Sequence, residues 1–239
     1  MKPQICVPLA VKDPLEIPAM IQRAEEAEAD LIEIRLDYLN IDLSDVKKIL
    51  EDFVREASIP TIATNRQYEQ GGLRPQDENS RTRILIQAAE AGFPYVDVEL
   101  TTAKLKSLVK KIKSYGAKPI ISFHDFEKTP PFQDMEKIIR SEIDAEAEIC
   151  KLVTTACKIE DNLECLLLAR KMSKLTKIVC FAMGHQGLIS RVLSPLFGGY
   201  FTFASLSNGV KTAPGQLSID DLKSLYVKLG VYDEDLRKN

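Results

Sequence analysis

Eight short β-rich runs, each followed by an amphipathic helical stretch, predict a single-domain (β/α)8 barrel over residues 1–239. Two further observations support that prediction: no composition break, Gly/Ser linker or low-complexity segment divides the chain, and no glycine-rich turn follows the first strand. Regular β-then-α alternation implies parallel strands joined by crossover helices. A doubly wound open sheet is the competing architecture. It would be favoured by a glycine-rich dinucleotide turn, and "PLAVKDPLE" supplies none.

Taken in order, "QICVPLA" (4–10) is the first strand. In "LIEIRLD" (31–37), Glu33, Arg35 and Asp37 share one face while Ile32, Ile34 and Leu36 share the other. "PTIATN" (60–65) is the third strand, with Thr64 and Arg66 at its close, and "YVDVEL" (95–100) sets Asp97 and Glu99 opposite Val96 and Val98. "KPIISFH" (118–124) ends in Ser122 and His124, and "ICKLVTT" (149–155) carries Lys151. "TKIVCFA" (176–182) and "YFTFASL" (200–206) complete the set. Between them, stretches such as "SRTRILIQAAEAG" and "TTAKLKSLVKKIKSYG" repeat apolar residues at three- and four-residue spacing. Gly92 and Gly116 stand where helix C-terminal stops are expected.

Composition narrows the function. Net charge is −3 with no recurrent basic stripe, which argues against nucleic acid as a partner. No apolar run approaches a membrane span, and prolines and acidic residues interrupt the N-terminal segment before a signal core forms. Five cysteines without a C-x-x-C pair fit reduced thiols in a cytoplasmic protein. Two histidines, His124 and His185, are too few for a multi-histidine metal site.

In a barrel of this kind, active-site groups come from the C-terminal ends of strands. Here those ends carry a lysine, a histidine, arginines and carboxylates, without a Ser–His or Cys–His signature. Taken alone, Lys151 reads as a strand lysine that snorkels its ammonium to water. Among other cations in a semi-enclosed site, a lysine becomes an amine nucleophile toward ketones and aldehydes. A neighbouring histidine then moves a proton next to the imine carbon, and arginines hold an anionic substrate. That chemistry describes a Schiff-base lyase or aldolase acting on a small carbonyl acid.

Five fragments, "EIRLD", "ISFHDF", "KLVTTA", "MGHQGLISRVLSPLFGG" and "TAPGQLSIDDL", occur in an order and spacing that resemble type I 3-dehydroquinate dehydratases. The resemblance implies a (β/α)8 barrel, a homodimer without cofactor, and conversion of 3-dehydroquinate to 3-dehydroshikimate and water in the shikimate pathway. It makes Lys151 the imine-forming residue and His124 the general acid–base. Arg191 corresponds to the arginine that holds the substrate carboxylate, and Glu33 and Arg35 to a pair orienting ring hydroxyls. Arg66 matches another substrate-contacting arginine, Thr212 and Gln216 fall on a lid loop, and Met183 would pack near the ring. The chain departs from the family in three places: Gln70 and Thr212 stand where many members carry glutamate and serine, and Pro8 where serine is frequent. With Gln70 in that place, Asp97 becomes the candidate to orient His124. A class I aldolase and a barrel that has lost activity are the alternatives. Phosphate-binding loops would mark the first, and loss of the lysine or histidine the second.

Overall fold

A computed structural model describes residues 2–40, 46–206 and 215–232. Strands β1 (Ile5–Leu9), β2 (Leu31–Arg35), β3 (Thr61–Thr64), β4 (Tyr95–Glu99), β5 (Lys118–His124), β6 (Ile149–Thr155), β7 (Lys177–Met183) and β8 (Thr202–Phe203) form one parallel sheet. Their order is β7-β6-β5-β4-β3-β2-β1-β8. The two edges meet where Tyr200 donates its backbone N–H to the carbonyl of Ile178 at 2.6 Å, so the sheet curls into a nearly closed barrel. The crossovers are α1 (Ile17–Glu26), α2 (Val46–Glu56), α3 (Glu78–Glu90), α4 (Leu105–Ser114), α5 (Phe132–Asp144), α6 (Asp161–Met172), α7 (Leu188–Leu193) and the closing α8 (Ile219–Lys228).

Local chemistry sets the helix ends. The Asp77 side chain accepts from the Ser80 amide at 2.9 Å to start α3, and Ser218 caps α8 in the same way through the Asp221 amide. Gly92 and Gly116 take positive φ just past α3 and α4, as their positions in the sequence anticipate. The eighth strand is shorter than the run 200–206 predicts. Ser205 leaves β1 and exchanges backbone hydrogen bonds with Leu217 and Ile219 at the start of α8, which ends the ladder.

The alternation read from the strands sorts side chains into two environments. Ile32, Ile34, Val96, Val98 and Ile121 face outward into the layer beneath the helices. Inward, Leu31, Ile62, Tyr95, Ile120, Ile149, Val179 and Phe201 fill the N-terminal end of the lumen as a dry apolar plug. One strand layer above it the lumen turns polar, with Glu33, Thr64, Asp97, Ser122 and Lys151 all buried. Among the described residues, no helix is long and apolar enough to cross a membrane.

One buried acid lies outside the lumen. Glu142 on α5 is fully buried beside Cys150, and neither carboxyl oxygen has a hydrogen-bond partner. Burial pushes its carboxyl well above the usual range, so the folded chain keeps it protonated where the unfolded chain would release the proton. The contribution of Glu142 to stability is therefore fullest below about pH 4.5 and falls as pH rises from there toward the folded pKa. Glu142→Met is expected to remove that contribution to the pH dependence and to raise stability at pH 8 by about 1–3 kcal/mol, read from urea unfolding at pH 5 and pH 8.

Candidate active site

Lys151 is the third residue of β6, next to Ser122 of β5 and Val179 of β7. It is only 4% exposed, so it does not snorkel. Its Nζ donates to Asp97 Oδ2 at 2.8 Å, lies 3.5 Å from Glu33 Oε1, and sits 4.7 Å from the centre of the Phe203 ring. A buried ammonium in this position is held by carboxylates from two other strands, as burial of a charge requires.

Arg66 follows β3 and stacks above that pair. Its Nη1 donates to Asp97 Oδ1 (2.9 Å), Glu99 Oε1 (2.7 Å) and Ser122 Oγ (2.7 Å), and its Nη2 donates to Asp97 Oδ2 (2.9 Å). Glu99 Oε2 in turn accepts from Arg81 Nη1 at 2.5 Å, and Arg81, buried on α3, reaches out to Glu78. Burial alone would raise the Asp97 carboxyl, but the charges of Arg66 and Lys151 outweigh it and hold it far below the usual range. Three cations, Lys151, Arg66 and Arg81, thus balance the three carboxylates Glu33, Asp97 and Glu99. Arg35 makes a separate forked pair with Asp37 (2.8 and 2.7 Å) and ties down the Gly71 carbonyl at 3.1 Å.

His124 closes β5 one layer above Lys151, at the pocket mouth. Its Nδ1 is buried without a partner, which leaves Nε2 for the cavity. Burial, then the charges of Arg66 and Lys151, push the imidazole well below its ordinary range, against the weaker opposite pull of Asp97. Asp97 does not hydrogen-bond to His124: all its acceptor directions go to Arg66, Ser122 and Lys151. The expectation that Asp97 orients the imidazole is corrected accordingly. The residue that does reach His124 is Gln70, whose Oε1 accepts the His124 backbone N–H at 2.9 Å.

Arg191 differs from every other cation of the site. It is 3% exposed on α7, its Nη2 has no partner, and no carboxylate among the described residues pairs with it. Its guanidinium carbon lies 4.5 Å from the Phe181 ring centre, and burial pushes its pKa down to about 10. A desolvated, uncompensated guanidinium is a ready receptor for one carboxylate.

A pocket of about 490 Å³, open mouth included, brings Glu33, Arg35, Arg66, His124, Lys151, Met183, Arg191 and Gln216 together. Thr212 lies outside the described residues. His185 is exposed on a short 3-10 turn after β7 and does not line this pocket. The sequence reading missed Val153, Phe126, Phe181 and Phe203, which supply the apolar walls, because an aromatic strand residue looks the same whether it fills a core or lines a cavity. It also missed Arg81, whose helical position at a 3.6-residue period resembles an ordinary solvated arginine. Chemically, the pocket offers an amine, a neutral imidazole and one free guanidinium around a partly apolar space. Among the described residues no cluster of His, Cys, Asp and Glu gathers as a metal site.

Comparison with known proteins agrees with this geometry. The model of the family described as type I 3-dehydroquinase matches residues 5–233. A 3-dehydroquinate dehydratase of Methanosarcina acetivorans is 34% identical over 225 residues, covering 92% of this chain and 92% of that protein. Among solved structures, the 3-dehydroquinate dehydratase of Geobacillus kaustophilus superposes with a TM-score of 0.90 at 25% identity, covering 98% of this chain and 93% of that one. The type I enzyme of Clostridium difficile, solved with covalently modified comenic acid, gives a TM-score of 0.86 at 27% identity, covering 95% and 92%. An aldolase, QR15, at 13% identity and a TM-score of 0.57, shares the fold alone. With an eight-stranded barrel, a buried strand lysine and a family match over nearly its whole length, this chain belongs to the type I 3-dehydroquinase family.

Proposed function

We propose that the barrel acts as one catalytic domain that dehydrates 3-dehydroquinate to 3-dehydroshikimate through an imine on Lys151. The observation that carries this reading is the pairing, in one pocket, of the buried Lys151 amine with the single unbalanced guanidinium of Arg191. Arg191 takes the substrate carboxylate. Glu33, Arg35 and Arg66 face the ring hydroxyls, Met183 lies against the ring, and Gln216 stands at the mouth.

Lys151, after loss of a proton, attacks the ketone carbon through Nζ, and the adduct loses water to give a protonated imine. His124 takes a proton from the adjacent carbon, and the electron pair flows into the imine to form an enamine. The enamine returns to the imine as the hydroxyl on the next carbon leaves, protonated by His124, as water. A second water hydrolyses the imine and frees the product and Lys151. The water released on imine formation balances the one consumed in hydrolysis, so one water is lost overall.

Turnover of 3-dehydroquinate is followed by the ultraviolet absorbance of the conjugated enone. Borohydride added during turnover is expected to fix the substrate's mass on Lys151, located by peptide mass spectrometry. An adduct on another lysine, or none, overturns the assignment.

The proposed assembly is a homodimer. Helix α6 is apolar around most of its circumference, yet Leu163 and Leu167 are exposed, as are Ile189, Leu196 and Phe197 on the segment packed beside it. A helix apolar on all sides is normally enclosed. Dimeric mass in light scattering that falls to monomeric in Leu163→Asp/Leu167→Asp is the expected outcome, and a monomeric native protein rejects it.

A further inference from the structure

We infer that Gln70 is a positioning residue for this reaction: its amide, anchored on Thr101, holds the end of β5 through the His124 backbone and leaves the imidazole to act as a neutral base without a carboxylate partner. The inference rests on His124 being the proton-transfer group. Gln70 is buried and both ends of its amide are used. Its Nε2 donates to Thr101 Oγ1 at 2.8 Å while its Oε1 accepts the His124 N–H at 2.9 Å. Thr101 is fixed in turn, donating to Gln67 Oε1 at 3.0 Å. The loop that carries Gln70 is pinned on its other side as well, by Arg35 on the Gly71 carbonyl and by the Leu73 amide on Asp37 Oδ2 at 3.0 Å. Gly71 takes φ +88° with the Phe126 ring packed where a Cβ would stand, so the loop cannot slide away from β5.

Every charged group facing the imidazole has another commitment. Arg35 of β2 is forked onto Asp37, and Arg66 after β3 onto Asp97 and Glu99. Asp97 of β4 is saturated by Arg66, Ser122 and Lys151, and Lys151 of β6 by Asp97 and Glu33. On the loop of His124 itself, Asp125 Oδ1 caps the amides of Glu127 and Lys128. None of these carboxylates hydrogen-bonds to the His124 ring, and its Nδ1 stays bare. With an amide at position 70, only the through-space pull of Asp97 favours the imidazolium, and burial with the charges of Arg66 and Lys151 outweighs it.

Gln70→Glu tests this with almost no change of shape. The carboxylate still accepts the His124 N–H, and Thr101 turns its hydroxyl to donate to it. The added negative charge is expected to raise the midpoint of His124 by about one pH unit or more and to move the acid limb of kcat/KM upward by the same amount. The midpoint is read directly by proton NMR, because the chain holds only two histidines and His185→Gln assigns the other. Gln70→Ala, which releases the strand end, is expected to lower kcat about tenfold with KM little changed. An unmoved His124 midpoint in Gln70→Glu, or an unchanged kcat in Gln70→Ala, overturns the inference. Full turnover by His124→Ala would instead overturn the role of His124, an outcome the NMR titration distinguishes because it needs no turnover.

Discussion

Lys151→Ala is expected to lower kcat by about ten-thousand-fold or more and to leave no borohydride-stable adduct, while the protein still folds. The two halves of this result have separate causes. The rate is lost because, among the described residues, no other amine lines the pocket: Arg35, Arg66 and Arg191 cannot lose a proton to become nucleophiles at working pH. The fold survives because the carboxylates that Lys151 leaves behind keep partners. Asp97 retains the forked contact with Arg66 and the Ser122 hydroxyl, and Glu33 retains Thr64 Oγ1 at 2.8 Å. Loss of one partner from a buried pair ordinarily costs about 3–5 kcal/mol, and the remaining bonds to Arg66 hold the loss toward the lower end. Circular dichroism and urea unfolding of Lys151→Ala check the second half, and single-turnover assays with mass spectrometry the first.

Arg191→Met is expected to raise KM about a hundredfold and, at the same time, to make the free protein more stable by about 1 kcal/mol. Loss of a two-pronged charged contact to a carboxylate, at about 1.5–3 kcal/mol per bond, accounts for the affinity. The gain in stability follows from the unpaired guanidinium. Arg191 is buried with no carboxylate among the described residues, and burial has pushed its pKa down to about 10, the signature of a charge held against its solvation. The contact with Phe181 at 4.5 Å returns about 0.5–1 kcal/mol of that penalty, which limits the gain. Melting curves with and without 3-dehydroshikimate give the test. The ligand is expected to raise Tm in the native protein and hardly at all in Arg191→Met. A variant less stable than the native protein would show that Arg191 is a structural member of the core.

Both residues illustrate how far the sequence alone could go. The period-two placement of Glu33, Arg35, Asp97, Glu99, Ser122 and His124 was legible because a parallel barrel strand normally reads apolar on both faces, and charges at alternate positions have no packing purpose. The β-then-α count fixed the architecture for a similar reason: each unit must cover the next strand. What remained hidden depends on contacts between elements distant in the chain. Arg191 sits on a short helix whose pattern resembles a solvated face, and only the packing of α7 on β7 places it against Phe181. Gln70 reads as a loop residue until the distance from its amide to the end of β5 is known. The eighth strand was overextended because the alternation in "YFTFASL" continues past the point where Ser205 changes partner.

The apolar plug in the lower lumen makes the barrel a one-ended chamber. Leu31, Ile62, Ile120, Ile149, Val179 and Phe201, with the Tyr95 ring, pack below Lys151 as its apolar floor. On the proposed mechanism, substrate, both waters of the imine steps and the product therefore share the doorway rimmed by His124 and Gln216. On the same proposal, the hydroxyl that leaves the ring exits past the imidazole that protonates it, through the opening by which the hydrolytic water enters. The floor of the barrel in this way directs exchange with solvent to the end that carries Lys151, His124 and Arg191.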